Sequence, residues 1–216
     1  MMTSIRASLV GLLATAASIA SAPMSGMENM PAHHHDMLEA AEVPGDSLYR
    51  LQIPLETADG TRIALSSLRG QPLLVTMFYS HCTSICPLLT ADLQKIDGQL
   101  TPDQRSVTRV LMVSFDAVRD TPTALTGFKQ LHHIEDPRWV VARASAGNVR
   151  LLAAALGIRY RELPDHSFNH SAVITLADRD GVVRARVVGV GGADAQFLDT
   201  VRSIAAAASA NRPDGG

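Results

Sequence analysis

The chain has 216 residues, room for one substantial domain and a short extension, and its 46% hydrophobic against 19% charged residues exclude a disordered chain. Its formal net charge is -2, without the Lys and Arg excess that phosphate backbones require, so nucleic acid is excluded as a partner. Two cysteines are too few for a disulfide-stapled scaffold, so whatever they do they do as a pair.

Residues 1–22 read as a signal peptide or short N-terminal anchor. Arg6 precedes an uncharged apolar run over 9–22, and Ala20, Ser21 and Ala22 resemble a signal-peptidase site. The run is short for a bilayer span, which needs roughly 20 apolar residues. The expectation is export to the periplasm, either soluble or anchored to the inner membrane by this segment. Residues 23–47 read as a flexible linker interrupted by Pro23, Gly26, Pro31, Pro44 and Gly45. Within it MSGMENMPAHHHDM places Met24, Met27, Met30 and Met37 around His33, His34 and His35. Thioether and imidazole donors suit weak, exchangeable copper capture; the plain alternative is a linker with incidental histidines.

A folded domain is expected over 48–208, with a loose tail at 209–216. Two alternating runs around Asp59-Gly60 signal a hairpin. The continuous apolar run over 72–79 fits a strand buried on both faces. Helical spacing follows over 87–100, then a second buried strand over 107–115 and a helix over 121–133 with Pro122 in its first turn. A short strand over 139–142, with Trp139 assigned to the core, precedes a helix over 146–156 stopped by Gly157. Residues 171–176 and 182–188 alternate around 178–181 as another hairpin, and a last helix runs over about 194–208. Strands alternating with helices imply an α/β domain with a partly parallel sheet, whose ligands gather at the carboxyl ends of strands.

FYSHCTSICP, residues 78–87, puts the cysteines at such a strand end, where a helix begins. Cys82 and Cys86 are four apart, a spacing that in a helix sets both sulfurs on one face. A helix N-terminus favours thiolate over thiol, and two thiolates are a soft pair that selects Cu(I), with Zn(II) a competitor. A Cys82–Cys86 disulfide is also feasible at this spacing. Inert core cysteines are the bland alternative, yet in an exported protein unpaired thiols tend to oxidise. A copper site needs a third donor, and PDHSFNHSAVITL offers His166 and His170 just before a strand; spacing does not choose between them.

Three blocks together resemble the Sco (SenC/PrrC) family, thioredoxin-like copper-binding assembly factors for cytochrome c oxidase. HCTSICP resembles its cysteine motif, SFDAVRDTP (residues 114–122) its strand-end segment, and NHSAVITLADRDG (residues 169–181) the block carrying its metal-binding histidine. The resemblance spans about residues 48–205. It implies a thioredoxin-like fold with an N-terminal β-hairpin and an inserted hairpin. It also implies one copper ion, Cu(I) or Cu(II), on Cys82, Cys86 and His170, with His166 as the fallback. Asp116 and Asp120 match acidic positions near the family's site; Asp120 before Thr121-Pro122 reads as a helix cap, and His81 is expected to point away. The implied role is a periplasmic copper chaperone for the dinuclear copper centre of oxidase subunit II, with other periplasmic copper chaperones as further partners. A thiol–disulfide oxidoreductase using Cys82 and Cys86, or a copper buffer or sensor using the Met/His segment, are the alternatives.

Overall fold

A computed structural model describes residues 47–210; the signal-like segment, the Met/His segment and the tail from 211 lie outside the described residues. A short helical turn at Leu48–Leu51 leads into the expected N-terminal hairpin, Pro54–Thr57 (β1) and Arg62–Ala64 (β2). Asp59 accepts the Thr61 N–H inside its turn, and Gly60 supplies the positive φ. The apolar run then forms Leu73–Phe78 (β3), whose residues are all buried, as a strand covered on both faces must be.

Ile85–Gly98 (α1) and the short Pro102–Val107 (α2) carry the chain to Arg109–Ser114 (β4), which pairs in parallel with β3. Pro122–Leu131 (α3) makes the next crossover to Trp139–Arg143 (β5), parallel to β4. Ala146–Leu156 (α4) follows, closed by Gly157 in the left-handed region. Tyr160–Glu162 (β6) and Phe168–His170 (β7) form a separate two-stranded hairpin. Val173–Ala177 (β8) returns antiparallel to β3, Val183–Val188 (β9) pairs antiparallel with β8, and Ala195–Ala210 (α5) ends the described chain. The seven-stranded sheet has the order β2-β1-β5-β4-β3-β8-β9. This is the α/β, thioredoxin-like arrangement the sequence implies. Among the described residues no helix is long and apolar enough to cross a membrane.

This topology creates the site. The parallel strands β3 and β4 end on the same side of the sheet, and antiparallel β8 begins there. Residues 79–86, 115–120 and 168–172 are therefore delivered to the same place from distant parts of the chain.

Three expected boundaries move. α1 begins at Ile85, before Cys86, and not at residue 87. Val107 closes α2, an element too short for apolar periodicity but held by a capping box of Thr101 and Gln104. The inserted hairpin is β6–β7, whose two strands of three residues are too short to show a strand period in the sequence. Trp139 is in the core, 6% exposed.

The turn between β8 and β9 offers a controlled test of packing. Gly181 has φ +82°, and a Cβ there would lie 2.6 Å from Cδ2 of Tyr49, whose hydroxyl donates to the Leu68 carbonyl. Gly60 has the same φ of +82° with nothing within 4 Å of a Cβ. Gly60→Ala is expected to lower stability by about 1 kcal/mol, the backbone penalty alone, and Gly181→Ala by about 3 kcal/mol because the ring must also move. Thermal melts of the two variants check this; equal losses would remove the steric contact from the account.

Candidate metal centre

Beyond the end of β3 the chain passes through residues 79–84 before α1 starts. Cys82 lies in that loop and Cys86 in the first helical turn, so the expectation of two sulfurs on one helical face is corrected. The Cys82 sulfur instead stands where a helix cap would. Ser84 at the cap position makes no side-chain cap bond, whereas the Cys86 N–H donates to Cys82 Sγ at 3.3 Å. Helix N-termini leave such N–H groups without intrahelical acceptors, and they stabilise an anion. Burial opposes ionisation of Cys82, but hydrogen bonds from the Cys86 thiol and from the N–H groups of Cys86, Ser84 and Ile85 outweigh it. The Cys82 pKa consequently lies below the ordinary thiol value. Cys86 is the reverse: burial pushes its thiol up, and donation to the Cys82 sulfur pushes it further. The two sulfurs are unlinked.

His170 ends β7, opposite Tyr160. Its Nε2 lies 3.7 Å from Cys86 Sγ, and its Nδ1 lies 3.2 Å from the Ser171 carbonyl oxygen. A carbonyl can only accept, so Nδ1 carries the proton and the Nε2 lone pair faces the sulfur. This is the arrangement in which a carbonyl orients a metal-binding imidazole. The ring is held by Phe115, with centroids 4.9 Å apart, and by the edge of Tyr79 at 6.2 Å. Burial lowers its pKa, against the pull of the Ser171 carbonyl, and keeps the imidazole neutral.

The ligand atoms of Cys82, Cys86 and His170 all lie within 4.8 Å of one another. With metal–ligand bonds of roughly 2.0–2.3 Å, donors around one ion sit about 3.5–4.5 Å apart. The 3.7 Å sulfur–nitrogen pair already has that spacing. Two sulfurs and an imidazole nitrogen form a soft set suited to copper, with zinc a competitor. The other expected donors are placed elsewhere. His166, the fallback, is exposed and points its Nδ1 at Glu162 Oε1, 2.7 Å away. Met24, Met27, Met30, His33, His34, His35 and Met37 lie outside the described residues.

Asp120 is not the helix cap it was expected to be: Thr121 is, accepting the Ala124 N–H. The fully buried Asp120 carboxylate turns inward instead, accepting from the Ser80 N–H at 2.9 Å, from Ser80 Oγ at 2.5 Å and from the Ser114 hydroxyl. It thereby ties the cysteine loop to the end of β4. Asp116 accepts the N–H groups of Val118 and Arg119 and pairs with the Arg119 guanidinium. His81 is exposed and faces Ser80 and Asp120, not the sulfurs. The supporting residues Tyr79, Ser80, Ser114, Phe115 and Phe168 all fall inside the segments the sequence singled out, but nothing in those segments assigned them a role; the signal is their position at strand ends next to the cysteines and His170.

The thiol asymmetry has a direct chemical readout. Iodoacetamide is expected to label Cys82 first in the metal-free chain, with a rate that rises with pH through a midpoint below the ordinary thiol range. Cys86 should react at least about tenfold more slowly at pH 8, since the thiolate is the nucleophile. Peptide mapping of the alkylated cysteines checks the order, and preferential labelling of Cys86 would contradict it.

Residues 49–206 match the SCO1/SenC family. A Stutzerimonas stutzeri relative whose name describes it as copper-binding is 21% identical over 140 residues, spanning 63% of this chain and 67% of its own length. Among solved structures, copper-bound Bradyrhizobium japonicum ScoI is 19% identical with a TM-score of 0.57, over 70% of this chain and 96% of its own. BsSco, described as a cytochrome c oxidase assembly protein of the Sco family with a disulfide switch, is 21% identical with a TM-score of 0.61, over 74% and 92% of the two chains. At these identities the structural likeness shows the fold.

Proposed function

The chain belongs to the SCO1/SenC family, and from that premise we propose that it is a copper chaperone. Cys82, Cys86 and His170 hold one copper ion, as Cu(I) or Cu(II), and pass it to a copper enzyme; the dinuclear centre of a cytochrome c oxidase subunit II is the favoured acceptor. The observation that carries this reading is the convergence of two sulfurs and an imidazole nitrogen at one end of the central strands. The copper-binding name of the Stutzerimonas relative, the copper-bound ScoI and the oxidase-assembly description of BsSco support it. Action in the periplasm belongs to the same proposal and is supported by the signal-like residues 1–22.

Binding must displace the protons of the thiols, so affinity falls as pH falls. The Cys86 thiol is the one whose proton is hardest to remove. Cys82 keeps 8% exposure and Cys86 none, so an incoming partner thiolate meets the ion from the Cys82 side and Cys86 leaves last. The test is transfer from the reduced, Cu(I)-loaded chain to the metal-free soluble domain of an oxidase subunit II. The parent is expected to transfer its copper. His170→Ala is expected to lower Cu(I) affinity by at least about 100-fold, beyond the 10–100-fold seen when only an outer partner of a ligand is lost. Unchanged affinity in that variant would overturn the ligand assignment.

A second reading rests on the opposed thiol shifts, low at Cys82 and high at Cys86. The Cys82 thiolate attacks a disulfide of the partner, breaking its S–S bond and releasing one partner thiolate. Cys86 then loses its proton, attacks the Cys82 sulfur and frees the second partner thiol, leaving a Cys82–Cys86 disulfide. The two electrons come from this chain, and an external dithiol must restore it. His170→Ala separates the readings, because it removes copper affinity and spares thiol exchange. The buffer or sensor reading depends on the Met/His segment, outside the described residues.

A further inference from the structure

Beside the metal centre lies a cleft of about 620 Å³, bounded by residues 115–119, the first turns of α4 and the β6–β7 hairpin. That volume is in the range that accommodates a bound group of several side chains. Tyr160 and Phe168 line it with aromatic surface, backed by the buried Phe115, which stacks on Tyr160 at 4.8 Å and on Phe168 at 6.1 Å. Its walls carry three arginines, Arg119, Arg150 and Arg161, against two carboxylates, Asp116 and Glu162. Both carboxylates are already engaged, Asp116 by Arg119 and Glu162 by His166. Arg150 stands exposed on the α4 side, near the Tyr160 phenol. On a chain of net charge -2 this is a cationic, aromatic-lined recess. Val118, 83% exposed, adds an apolar side chain at its edge.

We propose that the cleft is the docking site of the copper-accepting protein and takes a segment in which an aromatic side chain is flanked by carboxylates. This inference rests on the chaperone reading above. The aromatic ring packs on Tyr160 and Phe168, while a flanking carboxylate faces the exposed guanidinium of Arg150, the side chain best suited to bind it. Interfaces that bind through aromatic anchors rimmed by charge have this composition. The location gives docking a consequence for the metal. Phe115 also lies 4.9 Å from the His170 ring, and His170 pairs with Tyr160 on the same hairpin. A partner seated here is beside the ion and presses on the rings that hold one of its ligands, so docking loosens His170 at the moment of transfer.

The test uses the reduced, metal-free full-length chain labelled with ¹⁵N and titrated with the peptide Ac-Glu-Trp-Asp-NH₂. Saturable shifts are expected in residues 115–119, 146–150 and 160–170, with a dissociation constant at or below about 10 mM. Ac-Lys-Trp-Lys-NH₂ should bind at least about fivefold more weakly, and Arg150→Glu should weaken the acidic peptide by a similar factor. Val118→Asp, on the opposite edge, should act in the same direction, and the parent-like spectra of both variants before titration establish that they fold. Absence of saturable shifts, shifts centred elsewhere, or equal binding of the basic peptide would overturn the proposal. Since no metal is present, failure here leaves the copper titrations standing; peptide binding by a chain that holds no copper would sink the chaperone reading and with it the copper-accepting partner, while leaving the cleft's preference for an acidic aromatic segment.

Discussion

Cys86→Ser is expected to reduce Cu(I) affinity by at least about a thousandfold. Structural zinc sites in small domains bind with apparent free energies of roughly 10–16 kcal/mol, and on that scale one of three or four ligands accounts for about 4 kcal/mol. At about 1.4 kcal/mol per decade that is about three orders of magnitude. Serine keeps the shape and a hydrogen-bonding group but offers a hard, protonated oxygen in place of a thiolate. Cys86 is the stringent choice because it is the hub of the cluster. Its sulfur faces His170 Nε2 at 3.7 Å, and its thiol and N–H both serve the Cys82 sulfur. Competition against a chromophoric Cu(I) chelator measures the loss, while thermal melts show whether the fold survives. A reduction smaller than about tenfold in a folded variant would mean that copper is held elsewhere.

Asp120→Ala is expected to be the most damaging single change to stability near the site, at about 4 kcal/mol. The fully buried carboxylate accepts from the Ser80 N–H, the Ser80 hydroxyl and the Ser114 hydroxyl. Alanine leaves the Ser80 N–H and the Ser114 hydroxyl without their acceptor, while the Ser80 hydroxyl keeps His81 Nδ1 at 3.0 Å, and each orphaned donor costs about 1–3 kcal/mol. For a domain of this size the loss corresponds to a fall of roughly 8–16 °C in melting temperature. Because Ser80 leads directly into His81 and Cys82, the same change should also weaken copper binding. Ser114→Ala removes one donor to the carboxylate but orphans the buried Asp116 N–H, which donates to Ser114 Oγ at 2.9 Å, and should cost about 2 kcal/mol. Calorimetry of the two variants distinguishes them; similar losses would show that Asp120 does not organise the loop.

The architecture was legible where the chain's local pattern and its buried environment agree. The run that became β3 is apolar throughout because both its faces are covered, and Asp59-Gly60 marks a hairpin because only a few residue types tolerate its turn. α2 and the β6–β7 hairpin were not legible, since six and three residues are too few to display a period. The cysteines announced themselves by chemistry and position. The third donor did not, because His166 and His170 occur in similar short contexts. What separates them is pairing: His170 is fixed opposite Tyr160 and packed against Phe115, while His166 sits in the hairpin turn at φ +61° beside Glu162. Asp120 misled for a related reason. Its neighbours Thr121 and Pro122 make a helix start, and the residue that caps it is Thr121, which frees Asp120 to reach Ser80, 40 residues away. The capping role of the Cys82 sulfur was equally invisible, as it depends on where α1 begins.

The most direct measurement of the central claim is copper-edge X-ray absorption on the reduced chain loaded with one equivalent of Cu(I). Two sulfur scatterers at about 2.3 Å and one nitrogen at about 2.0 Å are expected, bond lengths usual for first-row ions in such sites. Cys86→Ser should lose one sulfur and His170→Ala the nitrogen. A coordination shell that stays the same in Cys82→Ser, Cys86→Ser and His170→Ala would contradict the account and place the copper outside this cluster.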